Sequence, residues 1–292
     1  MSAKKVTAIG IFDGVHSGHQ LIIKRAKSFG LVTALTFDPH PVSVITPERT
    51  PNFLMNLADR VHYLREAGAD DVKVINFTKD FAKKSADEFI EEVLVGEMKS
   101  DYVVIGDNFS FGHRAEGNPQ YLKSVSNKYG FEVEIVKLQE ERGSIVSSTR
   151  IRNLVIDGDI QRANSLLTRN YFVRGPVVHG EKRGRQIGYP TANIGCAKNA
   201  TIPADGVYAG FLTVGKDCWP AAISIGTNPT FEGIRARQVE AYAVDQVDLN
   251  LYDQPAKLEF THRLRDTLKF DGLDSLLSQM KLDCEQVRQL TR

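Results

Sequence analysis

Residues 10–19 constrain this chain more than any other stretch, because they lead from an apolar strand into a helix through a loop with three glycines and two histidines. Residues 6–12 predict a buried strand and the residues from Gln20 onward predict a helix, so His19 falls near the helix N-terminus. Unpaired backbone N–H groups and the helix dipole favour an anion there. The stretch predicts a phosphate-binding loop, and the alternative is a tight turn that carries surface histidines.

The spacing of glycines and histidines in this loop indicates its chemistry. Gly14 and Gly18 allow the backbone to approach a phosphate closely. His16 and His19 can donate hydrogen bonds to charge that develops during phosphoryl transfer. The spacing His-x-Gly-His resembles the signature of class I nucleotidyltransferases, which split ATP between its α and β phosphates. The residues that lead into it, Phe-Asp-Gly-Val-His, make the resemblance more specific than the four-residue spacing alone. The other common phosphate-binding motif, the Walker A sequence, does not occur in the chain.

Composition limits the class of protein. At 292 residues the chain is long enough for about two domains, and a net charge of +1 argues against a dedicated nucleic-acid binder. Its three cysteines are widely separated, which fits neither a disulfide framework nor a zinc site. The first residues lack a signal-peptide pattern, and no apolar run reaches the roughly 18 residues of a membrane span. We therefore expect a cytoplasmic protein whose partners include neither nucleic acid nor membrane; its oligomeric state stays open.

The first half of the chain alternates strands and helices. Predicted strands cover residues 31–37, 72–77, 102–105 and 132–137, and predicted helices cover residues 57–67, 85–95 and 119–130. This rhythm predicts a doubly wound parallel α/β sheet, in which ligands bind at the carboxyl ends of the strands. The loops at residues 13–19, 38–41 and 106–112 all fall at that end.

After Thr168 the pattern changes to short strands separated by Gly, Pro, Asn and Asp. The strand candidates are residues 171–178, 206–214, 221–225, 239–244 and 257–261. Since no helix intervenes, we predict a small antiparallel β-barrel. An amphipathic C-terminal helix that includes Leu273 and Leu290 is expected to pack on it. We accordingly predict two domains, residues 1–168 and 169–292.

Two further segments of the first domain carry candidate ligand-binding side chains. Residues 147–152 read Ser-Ser-Thr-Arg-Ile-Arg and begin a helix. In one interpretation the serines are an ordinary helix N-cap. In the other, the hydroxyls and Arg152 bind a triphosphate. Phe109 and Phe111 follow the strand at residues 102–105. They are either local core residues or, with Asp107 and Asn108, a surface that stacks on a planar heterocycle.

The second domain has its own phosphate-handling set. Residues 175–185 form a Gly-rich basic loop, which is either a solvated hairpin tip or a phosphate loop. Thr191 and Asn193 are neutral oxygen ligands of the kind that hold Mg²⁺ on a nucleotide. Glu240 is a single carboxylate inside an apolar strand, so it either faces solvent or accepts the proton of an attacking hydroxyl.

Taken together, these motifs resemble one family over essentially the full chain: the prokaryotic bifunctional riboflavin kinases/FMN adenylyltransferases, also called FAD synthetases. The nucleotidyltransferase motifs of that family match residues 10–19, 36–41, 106–112 and 147–152. Its kinase motifs match residues 175–185, 188–193, 228–231 and 239–240. The element Pro-Thr-Ala-Asn is highly specific, and it occurs in the right order downstream of His-x-Gly-His.

The resemblance implies two ATP-dependent steps: riboflavin becomes FMN in the barrel, and FMN becomes FAD in the first domain. It implies Mg²⁺ as cofactor, ATP as co-substrate, riboflavin as flavin substrate, and FMN and FAD as products. The implied catalytic residues are His16, His19, Arg152 and Glu240. The implied ATP-binding residues are Phe12, Gly14, Gly18, Ser148, Thr149, Gly180, Arg185, Thr191 and Asn193. The implied flavin-binding residues are Asp107, Asn108, Phe109, Phe111 and Asn228, with Thr191 and Asn193 as metal ligands.

The chain departs from the family pattern at a few positions. Thr168 and Asn170 replace Gly and Pro of the usual linker Leu-Gly-Arg-Pro-Tyr, and Asp253 replaces the Gly of Leu-Tyr-Gly. These departures lie near the domain junction and the kinase flavin loops, whereas every implied catalytic residue is present. Two alternatives to the bifunctional enzyme stay open, namely a monofunctional member with one inactive domain and a flavin-binding regulator.

Overall fold

The computed structural model describes residues 3–180, 184, 187–227, 237–247 and 249–291. These residues form two compact units that divide between Ser148 and Thr149. Two helices, α6 (Ser148–Asp157) and α7 (Ile160–Leu167), lie between this division and the predicted boundary at residue 168. The division at Ser148 assigns this helical segment to the second unit, whereas the predicted boundary assigns it to the first domain. The domain limits of 1–168 and 169–292 stay a prediction.

The first unit contains a five-stranded parallel sheet in the order β3-β2-β1-β4-β5, which confirms the predicted doubly wound α/β architecture. Its strands are β1 Lys5–Ile9, β2 Leu31–Asp38, β3 Asp71–Asn76, β4 Tyr102–Gly106 and β5 Glu132–Val136. The strand order reverses between β1 and β4, and ligands of such sheets bind beyond the carboxyl ends of the strands at that point. The loops that follow β1 and β4 are therefore the ones placed to form a site.

Helices and short turns connect these strands. The helices are α1 Ser17–Lys27, α2 Pro41–Ile45, α3 Leu57–Glu66, α4 Ala86–Glu88 continued in π form by Phe89–Glu97, and α5 Pro119–Tyr129. The predicted capping box is present, because the Ser85 hydroxyl accepts from the Glu88 N–H and the Glu88 carboxylate accepts from the Ser85 N–H. Helix α5 ends at Gly130 with a positive φ of 78°, as the sequence predicts.

The predicted elements around the first loop are wrong at their ends. Strand β1 ends at Ile9, three residues before Phe12, and α1 begins at Ser17 rather than Gln20. The reason is conformational, since Phe12 has a φ of +56° and so cannot continue a strand. The prediction extended the strand into this loop because residues 11 and 12 are apolar. A two-stranded ribbon, β6 Glu140–Glu141 with β7 Ser144–Ile145, was not predicted.

Both faces of the sheet are buried. Along β1 and β4, Ile9 and Ile105 belong to one apolar cluster, while their neighbours Ala8 and Val104 belong to the other. Successive side chains of a strand point to opposite faces, so the two clusters are the two helix-covered layers of the sheet. The central strands are thereby fixed in place, and only the loops at their ends are free to bind ligands.

The described strands of the second unit close into an antiparallel barrel in the order β10-β11-β12-β9-β8-β13, as predicted. Their bounds are β8 Tyr171–Val178, β9 Ala192–Ile194, β10 Gly206–Val214, β11 Asp217–Thr227, β12 Arg237–Ala243 and β13 Pro255–Arg265. Strand β9 was not predicted, and two of its three residues, Ala192 and Asn193, belong to the Pro-Thr-Ala-Asn motif. It links β12 to β8 and so closes this side of the barrel.

Helix α8, Leu273–Leu290, packs on the barrel as predicted. Its Cys284 and Val287 are buried against Ala209 and Val244. Two ion pairs hold the helix, from Arg288 to Asp245 at 2.6 Å and from Arg265 to the buried Asp283 at 2.7 Å. None of the described helices is long and apolar enough to cross a membrane.

Cysteine labelling tests this packing. Cys284 is buried, and burial raises the pKa of its thiol to about 11; burial also raises the pKa of the half-buried Cys196 to about 11. Because the thiolate is the reactive form, both thiols should react slowly at pH 8, whereas the exposed Cys218 should react first. Peptide mass spectrometry after brief iodoacetamide treatment measures the order. Labelling of Cys284 before Cys218 would contradict the packing of α8.

Thr168 shows why its departure from the family pattern matters. It follows α7 with a φ of +59°, a left-handed conformation that is strained for a β-branched residue and costless for glycine. We expect Thr168→Gly to raise the free energy of unfolding of this unit by about 1 kcal/mol. Urea denaturation measures the change. Thr168→Ala is the matched control, because it removes the hydroxyl that donates to Leu167 but keeps the strain, and it should not stabilise.

Candidate active sites

The loop after β1 has a strained backbone. Phe12 and Val15 have φ values of +56° and +38°, and Gly14 between them has a φ of +83°. A bulky residue and a β-branched residue rarely adopt this conformation, and such strain persists where the surrounding structure enforces it, often at functional sites. The side chains of Phe12 and Val15 are buried in the core, which anchors the loop. The predicted contact of Phe12 with ATP stays a prediction, and burial of the ring leaves only the backbone for it.

The two histidines of this loop lie together, and their predicted role in catalysis stays a prediction. The His16 and His19 rings stack with centroids 3.6 Å apart, and the edge of Phe12 contacts His19 at 5.2 Å between centroids. His16 is the buried N-cap residue of α1, and His19 is half-buried in the first turn. A Cβ at Gly18 would approach the His16 ring to 3.3 Å, so glycine leaves room for that ring. Two imidazoles thus meet at a helix N-terminus, where an anion is favoured.

Asp13 connects this loop to two other segments. Its buried carboxylate accepts from the Leu54 N–H through both oxygens, at 3.1 and 3.2 Å. Its backbone carbonyl accepts from the Ser148 hydroxyl at 2.8 Å. The first residue of α6 is therefore brought to the histidine loop, as the proposed triphosphate site requires of Ser148.

Thr149 and Arg152 lie on α6, in the second compact unit. The Arg152 guanidinium donates to the Thr149 hydroxyl at 3.2 Å. Their predicted role in binding ATP and transferring its adenylyl group stays a prediction.

The loop after β4 separates the two predicted phenylalanines. Phe111 is buried in the core cluster, whereas Phe109 is half-buried and stacks on it with centroids 5.5 Å apart. Asp107 and Asn108 are exposed. Burial favours the core alternative for Phe111 and leaves Phe109 as the ring on which a flavin could stack. The flavin-binding role of all four residues stays a prediction.

The second unit contains a cavity of about 230 Å³ at one end of the barrel. The predicted residues Gly180, Thr191 and Asn193 line it, together with Gly184, Gly188 and Pro190 of the same motifs. A Cβ at Gly180 would overlap the Asn193 amide, so the loop approaches the motif as closely as glycine permits. Two of the kinase motifs, at residues 175–185 and 188–193, therefore contribute to one cavity.

Glu240 does not itself line this cavity, but it forms a hydrogen bond to Thr191, which does. Along β12, Val239, Ala241 and Ala243 are buried, and Glu240 lies half-buried on the opposite face. Its Oε2 accepts from the Thr191 hydroxyl at 3.2 Å, and its Cα pairs with Asn193 across the β12–β9 ladder. Glu240 thus contacts the cavity wall, which is not the environment of a fully solvated surface carboxylate.

The donors around Glu240 suit Mg²⁺ on a nucleotide. Thr191 and Asn193 offer a hydroxyl and an amide oxygen beside one carboxylate, and Mg²⁺ on a nucleotide typically uses few protein oxygens plus phosphates. No group of three or more His, Cys, Asp or Glu side chains that could hold a metal occurs within the described ranges. The residues present fit an ion that arrives with ATP rather than a fully protein-coordinated one.

The structure adds cavity residues that the motifs did not indicate. The segment after β12 contributes Gln246, Val247 and Leu251, and Tyr252 stacks on His179 with centroids 4.1 Å apart. The departure at position 253 was the sequence signal that could have indicated this segment. Asp253 follows Tyr252 and has a φ of +63°, a conformation that favours the glycine found there in the family. Arg185 and Asn228, predicted for ATP and flavin, lie outside the described residues.

The first unit combines a parallel α/β sheet with two stacked histidines at a helix N-terminus, and the second unit is a barrel with a carboxylate hydrogen-bonded to Thr191. These features are those of a nucleotide-using transferase with two sites. The family model of FAD synthetase matches residues 1–150, and that of riboflavin kinase matches residues 167–291. The chain belongs to the family of bifunctional riboflavin kinases/FMN adenylyltransferases, which confirms the resemblance.

Curated relatives cover both halves of the chain. A bifunctional riboflavin kinase/FMN adenylyltransferase of Listeria monocytogenes is 38% identical over 97% of this chain and 91% of its own length. The protein of the same description from Escherichia coli is 34% identical over 95% of this chain and 90% of its own length.

A solved structure shares the fold. A Streptococcus pneumoniae crystal structure described as a macrolide-efflux protein is 32% identical with a TM-score of 0.88, over 99% of this chain and 95% of that one. Its description names a different activity from that of the curated relatives, so we take from it only the fold.

Proposed function

We propose that FAD is made from riboflavin at two separate sites, with the histidine loop of the first unit at one site and Glu240 of the second unit at the other. As a member of this family, the chain phosphorylates riboflavin to FMN and transfers an adenylyl group from ATP to FMN. The observation that carries the residue-level proposal is the Thr191–Glu240 hydrogen bond at the wall of the barrel cavity. It places a carboxylate against the motif that distinguishes the kinase domain.

In the barrel, Glu240 acts as general base. It accepts the proton of the ribityl 5′-hydroxyl while the hydroxyl oxygen bonds to the γ-phosphorus of ATP, and ADP leaves with the electrons of the broken P–O bond. The Thr191 hydrogen bond orients the carboxylate. Gly180 and Arg185 belong to the loop that would cover the phosphates, and Asn228 is proposed to contact the flavin.

Mg²⁺ would be held by Thr191 and Asn193 together with the nucleotide phosphates. When bound, the ion supplies positive charge that offsets the charge of the phosphates. This chain's part is to present two neutral oxygens next to Glu240, so that nucleotide and base are positioned together.

In the first unit, His16 and His19 stabilise adenylyl transfer. An FMN phosphate oxygen bonds to the α-phosphorus of ATP, and pyrophosphate leaves as the bond between the α and β phosphates breaks. The imidazoles donate hydrogen bonds to the charge on the transferred group, while Gly14, Gly18 and Ser148 bind the nucleotide. Thr149 and Arg152, which belong to the predicted domain of residues 1–168, are proposed to assist. Asp107, Asn108 and Phe109 are proposed to bind the flavin ring.

We further infer a cytoplasmic location and small molecules as the partners, namely riboflavin, FMN, FAD and ATP. Support comes from three free cysteines at positions 196, 218 and 284, as expected in a reducing compartment.

The test is product analysis. The protein is incubated with riboflavin, ATP and Mg²⁺, and the flavins are separated by chromatography. FMN and FAD together support two working sites. FMN alone would identify a monofunctional kinase, and neither product would identify a flavin-binding regulator.

A further inference from the structure

Helix α3 contains a buried arginine that no motif of the two activities includes. Arg60 is 7% exposed, and its guanidinium donates from Nη1 to the Ile11 carbonyl at 3.0 Å and from Nη2 to the Phe37 carbonyl at 3.1 Å. Nη2 also lies 3.4 Å from Oδ1 of Asp38. One planar group thus connects the chain beyond β1 to the end of β2, the strand paired with it.

Burial of this charge is costly for folding. Burial lowers the pKa of Arg60, and the negative charges of Asp38 and Asp13 oppose that shift. The contacts of Arg60 compensate only in part for the cost of burying its charge. The Asp38 side chain is 48% exposed, and Nε of Arg60 has no hydrogen-bond partner among the described residues. An apolar side chain of similar volume often serves stability as well as a buried charge does. Arg60 therefore calls for an explanation beyond packing.

The groups that Arg60 contacts lead directly into the adenylyl-transfer site. Ile11 precedes the strained Phe12 of the histidine loop, and its carbonyl also accepts from the Thr36 hydroxyl at 3.0 Å. Phe37 and Asp38 lead into the loop at residues 38–41. In that loop, Nδ1 of His40 accepts from the Val42 N–H at 3.2 Å.

We propose that Arg60 is a positioning residue for adenylyl transfer, which holds the histidine loop and the loop at residues 38–41 at a fixed separation. It reaches no substrate itself and acts through the Ile11 and Phe37 carbonyls. A planar guanidinium can serve two carbonyls at once, which an ammonium cannot do with the same geometry. The inference rests on the proposed role of the histidine loop.

The experiment compares Arg60→Met with Leu64→Ala in the full-length chain. Leu64 lies one turn further along α3 and is fully buried in the apolar cluster that also contains Phe12 and Val15. Its carbonyl accepts from the Ala69 N–H just before β3, so unlike Arg60 it makes no hydrogen bond to the described residues of either loop. For Arg60→Met we expect kcat for FAD formation from FMN to fall about 10²-fold with little change in KM, the size of effect known for small misplacements of reacting groups. Leu64→Ala should lower kcat only by the fraction of unfolded protein, measured by circular dichroism. Riboflavin phosphorylation should persist in both variants.

A double-mutant cycle with His19→Ala separates positioning from a general structural role. If Arg60 acts through the histidine loop, the effects of Arg60→Met and His19→Ala on kcat should be clearly less than additive, while Leu64→Ala and His19→Ala should add. A kcat for folded Arg60→Met that matches Leu64→Ala, or an additive cycle, would overturn the proposal. If His19→Ala alone leaves kcat unchanged, the proposed role of His19 fails, and the comparison of Arg60→Met with Leu64→Ala still tests Arg60.

Should Arg60→Met fail to fold, Arg60→Lys replaces it. Lysine keeps the charge but loses the two-pronged donor, so kcat for FAD formation should still fall. A folded Arg60→Lys protein with wild-type kcat would also overturn the proposal.

Discussion

FAD formation from FMN is expected to fall about 10²-fold or more in His19→Ala, the usual cost of losing one hydrogen-bond donor to developing charge. His19 lies in the first turn of α1, with its ring stacked on His16 and in a perpendicular contact with the Phe12 ring. The ring is therefore already oriented before substrate binds. Initial rates with FMN and ATP, corrected for the folded fraction, measure the loss.

His62→Ala is the matched control for that experiment. His62 lies in the same unit, 61% exposed, and contacts Glu66 at 3.3 Å on the surface of α3. It should leave both activities at the wild-type rate, and riboflavin phosphorylation should persist in both variants. A folded His19→Ala protein that makes FAD at the wild-type rate would remove His19 from the mechanism.

The location of the first site could be predicted from the sequence because its signals are local. A glycine-rich turn between a strand and a helix places His19 at a helix N-terminus whatever the rest of the chain does. The backbone strain at Phe12 and Val15 could not be predicted, since it is enforced by burial of those two side chains in the core. Local pattern therefore located the site, and tertiary packing determined its shape.

Helix α3 shows the limit of apolar periodicity. The pattern suggests a buried face of Leu57, Val61 and Leu64, yet of these only Leu64 is fully buried, and its buried companions are Asp59 and Arg60. A charged residue is assigned to solvent by any pattern of this kind. Arg60 is buried because acceptors from the loop after β1 and from β2, distant in sequence, meet it there.

The barrel shows a similar limit. Its strands could be recognised from their turn residues, but β9 was missed because its two pairings are long-range. The direction of Glu240 also depended on register. Alternation along β12 buries Ala241 and Ala243, and only the pairing of β12 with β9 brings Thr191 against the Glu240 carboxylate.

Glu240→Gln is expected to slow FMN formation from riboflavin by about 10²- to 10⁴-fold, the typical contribution of a general base. Glutamine keeps the shape and can still accept from the Thr191 hydroxyl, so the hydrogen bond at 3.2 Å survives while the basicity is lost. FAD formation from supplied FMN should remain nearly unchanged, because the histidine loop lies in a separate compact unit. Rates measured with riboflavin and with FMN separately distinguish the two steps.

Glu259→Gln is the matched control, because Glu259 is a half-buried carboxylate on β13 that pairs with Lys257 at 3.1 Å. It should leave riboflavin phosphorylation near the wild-type rate. Equal losses in Glu240→Gln and Glu259→Gln would mean that any barrel carboxylate matters and that Glu240 is not the base. If Glu240→Gln instead abolishes adenylylation of FMN as strongly as phosphorylation of riboflavin, the assignment of one reaction to each unit fails. A shared or strongly coupled active site must then replace it, since a residue that belongs only to the kinase barrel has no other route to the adenylyl step.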